Sequence, residues 1–219
     1  MVNAPLLLIF LFSWLIGGEH PVARTGTMPA ERSSDATTGL NSNALYAEIG
    51  LQGHLAEPVF AAGIRSAERH GQRSRILAIA DMTQPSTAKR LYVIDLDSKV
   101  LLLRTYVAHG QGSGDLNCTS FSNREGSHQT SKGLYRVGTE IVSPKHGPAL
   151  LLHGLDKGLN DQALAREVII HGADYVSPAF IAQHGRLGRS WGCPAVEREL
   201  MPRLIDLLAD GGLLYVHGR

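Results

Sequence analysis

Cys193 lies between Gly192 and Pro194 in the stretch Ser190-Trp191-Gly192-Cys193-Pro194, and the apolar run Val168-Ile169-Ile170 leads into His171-Gly172. A thiol in such a turn, with an imidazole at the end of a buried strand, is the pairing expected of a nucleophile and its base. Only a thiolate attacks an acyl carbon efficiently, and a cysteine near neutral pH is mostly protonated, so the thiol needs a neighbouring group that takes its proton. His171 is the candidate. It precedes the cysteine by 22 residues, so the intervening segment has to fold back over the sheet.

The residues around the thiol constrain the reaction further. Pro194 pushes Cys193 into the extended region and contributes no N–H. Donors for an oxyanion therefore come from the backbone of Gly192 or Cys193, or from Ser190. Gly192 lets a substrate carbonyl approach the backbone closely. A helix starting at Pro194 would place Cys193 at its N-cap, but Pro202 would interrupt that helix, which leaves His171 as the main activator.

Other uses of these residues stand beside the catalytic one. Cys118 and Cys193 are the only cysteines, and in an oxidising compartment two cysteines can form one disulfide. That bridge would consume the thiol, so the expectation is two separate sulfurs, with Cys118 a small buried residue. His153, His184 and His171 together with Cys193 have the donor types of a zinc site, but no short ligand spacing supports one. His153 is read instead as a polar residue near the cleft. Arg186 and Arg189 flank the cysteine loop and either grip a substrate carboxylate or are ordinary solvated charges. Tyr135 either contacts substrate or packs. Asp174, three residues along the strand from His171, falls on the opposite face and is left out of the triad.

The positioning elements follow from periodicity. Leu45 to Ile64 carry apolar residues at helical spacing, and Glu57-Pro58 suits the start of a helix running to about Glu68. From Arg75 the period changes to that of a strand followed by a hairpin around Asp97-Ser98-Lys99. Further strands are expected over Gly133 to Gly138, Ala149 to His153, Val168 to His171 and Leu213 to His217. Helices are expected near Asp161 to Arg166, from Ser177-Pro178, and from about Arg198 to Pro202 onward, the last stopping at Asp210-Gly211-Gly212. This is a mainly β chain with inserted helices, an α+β class, without the regular alternation of a doubly wound sheet.

Twenty-one Lys and Arg against twenty Asp and Glu leave almost no net charge, so nothing points to nucleic acid. Pro5 to Ile16 is an apolar run too short to span a bilayer comfortably and right for an export signal, with an uncleaved membrane anchor as the alternative. The expected organisation is an export signal or anchor over 1–23, a flexible spacer over 24–43, a helical segment over 44–72 and a catalytic domain over 73–219. Export would place the chain in the periplasm or cell envelope.

The segments RLYVIDL, TYVAHGQGSG, FSNREGSHQTSKGLYRVG, IIHGADYVS and HGRLGRSWGCPAV, in this order, resemble the YkuD-like L,D-transpeptidase catalytic domain family, in its branch with proline after the cysteine. The resemblance covers about Arg75 to Arg219. It implies a β-sandwich catalytic domain that works on peptidoglycan stem peptides through a cysteine acyl-enzyme, with no metal or organic cofactor. By position, Cys193 matches the nucleophile, His171 the histidine of the His-Gly element, and Ser190 and Gly192 the Ser-x-Gly-Cys motif. It also implies that a backbone carbonyl orients the imidazole. Many members carry histidine where Trp191 stands here. An amine acceptor makes the enzyme a transpeptidase, water makes it an L,D-carboxypeptidase or endopeptidase, and a third reading is a wall-binding module without turnover.

Overall fold

Ile76–Asp81 forms β1, and both of its faces are buried. Ile76, Ala78 and Ala80 enter one apolar cluster while Leu77 and Ile79 enter another, so this strand runs between two cores. A continuous apolar strand rather than an alternating one is what such a position requires. The computed structural model describes residues 41–219. The expected export signal and nearly all of the expected spacer lie outside the described residues.

The chain enters through α1 (Ser42–Ile49) and α2 (Glu57–Arg69), the latter with proline in its first turn. β2 (Leu91–Asp95) and β3 (Val100–Thr105) form the expected hairpin. β4 (Gly133–Ser143), β5 (Gly147–Gly154) and β6 (Ile169–Gly172) follow. Then come α3 (Pro178–His184), the two-residue β7 (Ala195–Val196), α4 (Met201–Leu208) and β8 (Leu213–His217). These eight strands form one mixed sheet in the order β3-β2-β1-β8-β4-β5-β6-β7, parallel at β1–β8 and β6–β7 and antiparallel elsewhere. One face packs on α1 and α2 through Leu45, Tyr46, Phe60 and Ile64; the other packs on α4 through Met201, Leu204 and Leu208. The mainly β expectation with inserted helices holds. No helix among the described residues is long and apolar enough to cross a membrane.

The two ends of the sheet are joined by the chain that leaves β3. Ala108 exchanges backbone hydrogen bonds with Ala195 at 2.8 and 3.4 Å, and the Ser190 N–H donates to His109 O at 3.1 Å. The Arg90 guanidinium, fully buried, fixes this crossing segment. It donates to Val107 O at 3.1 and 3.0 Å, to Gln84 O at 2.7 Å and to His109 Nδ1 at 2.8 Å. Burial draws the Arg90 pKa down to about 10, so it stays charged at neutral pH.

Three local expectations differ from what is observed. Residues 161–167 run as turns rather than a helix. The buried Asn160 side chain donates to Leu134 O at 2.9 Å and accepts from the Asp156 N–H at 2.8 Å, and this anchoring sets the path. β4 extends well past Gly138, because its outer half pairs with β5 as a projecting hairpin. The chain leaves α4 with Asp210, not a glycine, at φ 58°. The Asp210 N–H donates to Gly138 O and the Gly211 N–H to Val137 O, which holds the turn against β4.

Replacing Arg90 by Met removes the donors for two carbonyls and an imidazole nitrogen, of which those of Val107 and His109 are fully buried. The expected loss is on the order of 3 kcal/mol, read as a lower urea midpoint at unchanged slope.

Candidate active site

His171 lies in β6 opposite Ala195 of β7 in parallel register. Cys193 precedes Ala195 by two residues and Ile169 precedes His171 by two, so the short parallel pair sets the thiol beside the start of β6 and the imidazole beside its end. Both side chains line one cleft of about 790 Å³. His171 Nδ1 is 3.0 Å from Gly172 O and donates to it, which leaves the Nε2 lone pair free. Asp174 takes no part in orienting the ring: it is exposed and pairs with Arg198 at 2.6 Å.

The electrostatics favour a neutral resting pair. Burial, opposed by the Gly172 hydrogen bond, pulls the His171 pKa down to about 4, and His146, Arg198 and Lys145 push in the same direction as burial. Burial raises the Cys193 pKa above the usual thiol value, while the Ile169 N–H and the charge on Arg166 partly offset it. The Cys193 thiol sits 3.9 Å from Glu167 O, to which it donates. Both shifts disfavour a stored thiolate–imidazolium pair.

The Ser190 hydroxyl donates to Cys193 O at 2.6 Å and accepts from the Gly192 N–H at 3.1 Å. Both groups are therefore spent inside the loop. Of the oxyanion donors expected from the sequence, only the Cys193 N–H is not committed to another residue. Gly192 sits at φ 130°, and a Cβ there would come 2.9 Å from Gln129 O, so the loop's shape depends on glycine.

Several neighbours escaped the sequence reading. Arg166 gathers the loop 122–131 by donating to Ser122 O and Gln129 O, each at 2.8 Å, and to Ser131 Oγ at 3.2 Å. His146, at the tip of the β4–β5 hairpin, stacks on His171 with ring centroids 3.7 Å apart. Trp191 is 66% exposed; its ring stacks on His128 at 5.1 Å and lies under Lys145 Nζ at 4.4 Å. An arginine in a polar stretch and a Pro-Lys-His-Gly turn carry no local signal of these partners.

The expected substrate contacts separate. Arg189 lines the cleft but is paired with Asp115 at 2.5 Å. Arg186 lies outside the cleft lining, donates to Leu187 O at 2.8 Å and approaches Asp115 at 3.8 Å. His153 also lies outside the lining, in the space beside Gly138, where a Cβ would come 2.7 Å from its Nε2. The structure corrects the reading of Tyr135 as a substrate contact. It is buried in the core with its hydroxyl 2.8 Å from both Ser131 O and Ser131 Oγ, so it packs. Cys118 and Cys193 are both free, and among the described residues no three His, Cys, Asp or Glu side chains converge as metal ligands.

A family model described as the L,D-transpeptidase catalytic domain matches residues 54–217. The chain belongs to the L,D-transpeptidase catalytic domain family. No curated protein sequence matches it. Among solved structures it is similar to an L,D-transpeptidase from Mycobacterium smegmatis at 14% identity and TM-score 0.41, over 66% of this chain and 59% of that one. It is likewise similar to one from Stackebrandtia nassauensis at 15% identity and TM-score 0.41, over 80% and 75% of the two chains. The L,D-transpeptidase domain described here thus spans about three fifths of the mycobacterial chain.

Alkylation of Cys193 by iodoacetamide, followed by peptide mass analysis, checks the neutral pair. A raised thiol pKa makes labelling slow at pH 7 and has it climb about tenfold per pH unit through pH 9. A rate flat from pH 6 to 9 would mean a preformed thiolate.

Proposed function

We propose that this protein is a cysteine L,D-transpeptidase acting on peptidoglycan stem peptides. Membership of the family supports the reaction class. The observation that carries the residue assignment is the shared cleft, which a histidine oriented by its neighbour's carbonyl lines together with a thiol two residues before the adjoining strand. His171 Nε2 accepts the Cys193 proton as sulfur attacks the amide carbonyl of an L-centre that precedes a D-residue. The Cys193 N–H faces the developing oxyanion, and the imidazolium returns the proton to the departing amine. An acceptor ammonium then sheds one proton to solvent and attacks the thioester as a free amine. Its second proton passes through His171 to the released thiolate, so that amide and thiol are restored.

Ser190, Gly192 and Arg166 are positioning residues in this scheme, holding the loop that carries sulfur. Such a substrate lies outside the cytoplasmic membrane, the direction in which the apolar run Pro5 to Ile16 would send the chain.

The deciding experiment incubates the protein with a tetrapeptide stem and analyses the products by mass. Cross-linked dimer is expected from the wild type and none from Cys193→Ala, whereas free trimmed stem without dimer would make the enzyme a hydrolase. Intact mass should show a carbapenem adduct on Cys193, and an unmodified protein after long incubation would count against the acyl-enzyme. His171→Gln should slow adduct formation by about 10²–10⁴-fold. Because His171 must be neutral to accept a proton, the wild-type rate should hold from pH 7 down to about pH 5 and fall as pH passes through about 4. Ser190→Ala, which frees the loop, should cost on the order of 10²-fold at little change in melting temperature.

A further inference from the structure

The charged residues lining the cleft are Lys145, Arg166, Arg189 and Glu167. Three of these are occupied: Lys145 on the Trp191 ring, Arg166 on the carbonyls of loop 122–131, and Arg189 on Asp115. The Glu167 carboxylate makes no hydrogen bond or ion pair among the described residues, and its own backbone carbonyl accepts the Cys193 thiol. Glu167 is also held at φ 54°, a left-handed backbone that a non-glycine residue seldom adopts. Hydrogen bonds on either side keep it there, from its own N–H to Leu164 O at 3.1 Å and from the Val168 N–H to Ala163 O at 2.9 Å.

A carboxylate in this place works against the first half of the reaction, because its charge opposes ionisation of Cys193. It favours the second half if the incoming group is a cation, since Glu167 is, among the described residues, the only acid lining the cleft, and its backbone carbonyl contacts the sulfur that carries the acyl group. We propose that Glu167 selects the acyl acceptor by receiving the ammonium of a primary amine, such as the side-chain amine of a diamino acid in a second stem peptide. This rests on the acyl-enzyme reading above. The ion pair gathers the acceptor at the thioester, and deprotonation and attack then follow the steps already given.

The test compares two nucleophiles on the same thioester in the full-length protein at pH 8, a stem peptide with a side-chain ammonium and hydroxylamine, which is uncharged there. In Glu167→Gln the ratio of peptide aminolysis to hydroxylaminolysis should fall about fivefold or more, through a higher KM for the peptide, and Glu167→Asp should recover part of it. Carbapenem adduct formation in the same preparations reports an intact site, and it should not slow in Glu167→Gln, because removing the carboxylate eases thiol ionisation. An unchanged ratio overturns the proposal, as does a parallel loss of adduct formation and both nucleophile reactions. Wild-type protein that forms the adduct and reacts with hydroxylamine but never with the peptide amine overturns acceptor selection alone. Wild-type protein that forms no adduct and turns over neither nucleophile removes the acyl-enzyme reading and this proposal with it.

Discussion

Ala195 is flanked on both sides, by His171 in register across the parallel pair β6–β7, where the His171 N–H donates to Pro194 O at 3.4 Å, and by Ala108, which exchanges both backbone hydrogen bonds with it across the bridge that closes the sheet. These contacts span little more than two residues of strand, yet they fix where sulfur and imidazole stand relative to each other. A parallel pair cannot be made by a tight hairpin, so the chain between His171 and Cys193 has to leave the sheet, form α3 and return. The return is held by the segment after β3, which Arg90 pins with three hydrogen bonds. The reactive loop thus depends on a buried cation far from it in sequence.

The same closure sets the electrostatics. Burying His171 and Cys193 at the joint disfavours the charged form of each, so both rest neutral. Carbonyl orientation of the imidazole by Gly172 fits this arrangement, because a neutral acceptor fixes the tautomer without strongly stabilising imidazolium. The stacked ring of His146 adds a second imidazole whose own charging is disfavoured by burial and by nearby cations. Glu167 is the exception, an acid lining a cleft whose other charged residues among those described are occupied cations.

Much of this was legible along the chain. The alternation and apolar runs of β1, β2, β3 and β8 locate those strands, because each is built from local periodicity and bounded by turn residues. The pairing of Cys193 with His171 follows from residue type and from the segments around them. Two-residue β7 was not legible, since a strand that short exists only through its partners. The turns at 161–167 were read as helix because the side-chain bonds of Asn160 that override local propensity reach across to β4. Tyr135 illustrates the same limit, as an aromatic in a strand carries no mark of which face the sheet will bury.

By itself, then, the sequence determined the mainly β class, the thiol and imidazole, and the geometric demand that Pro194 and Gly192 place on the loop, because these depend on backbone chemistry within a few residues. Tertiary structure alone decided that Arg166 and His146 reach the site, and that Glu167 lines it with no side-chain partner among the described residues. The contacts of Arg166, His146 and Glu167 at the site join residues about 25 to more than 40 positions apart, and only the folded chain brings them together.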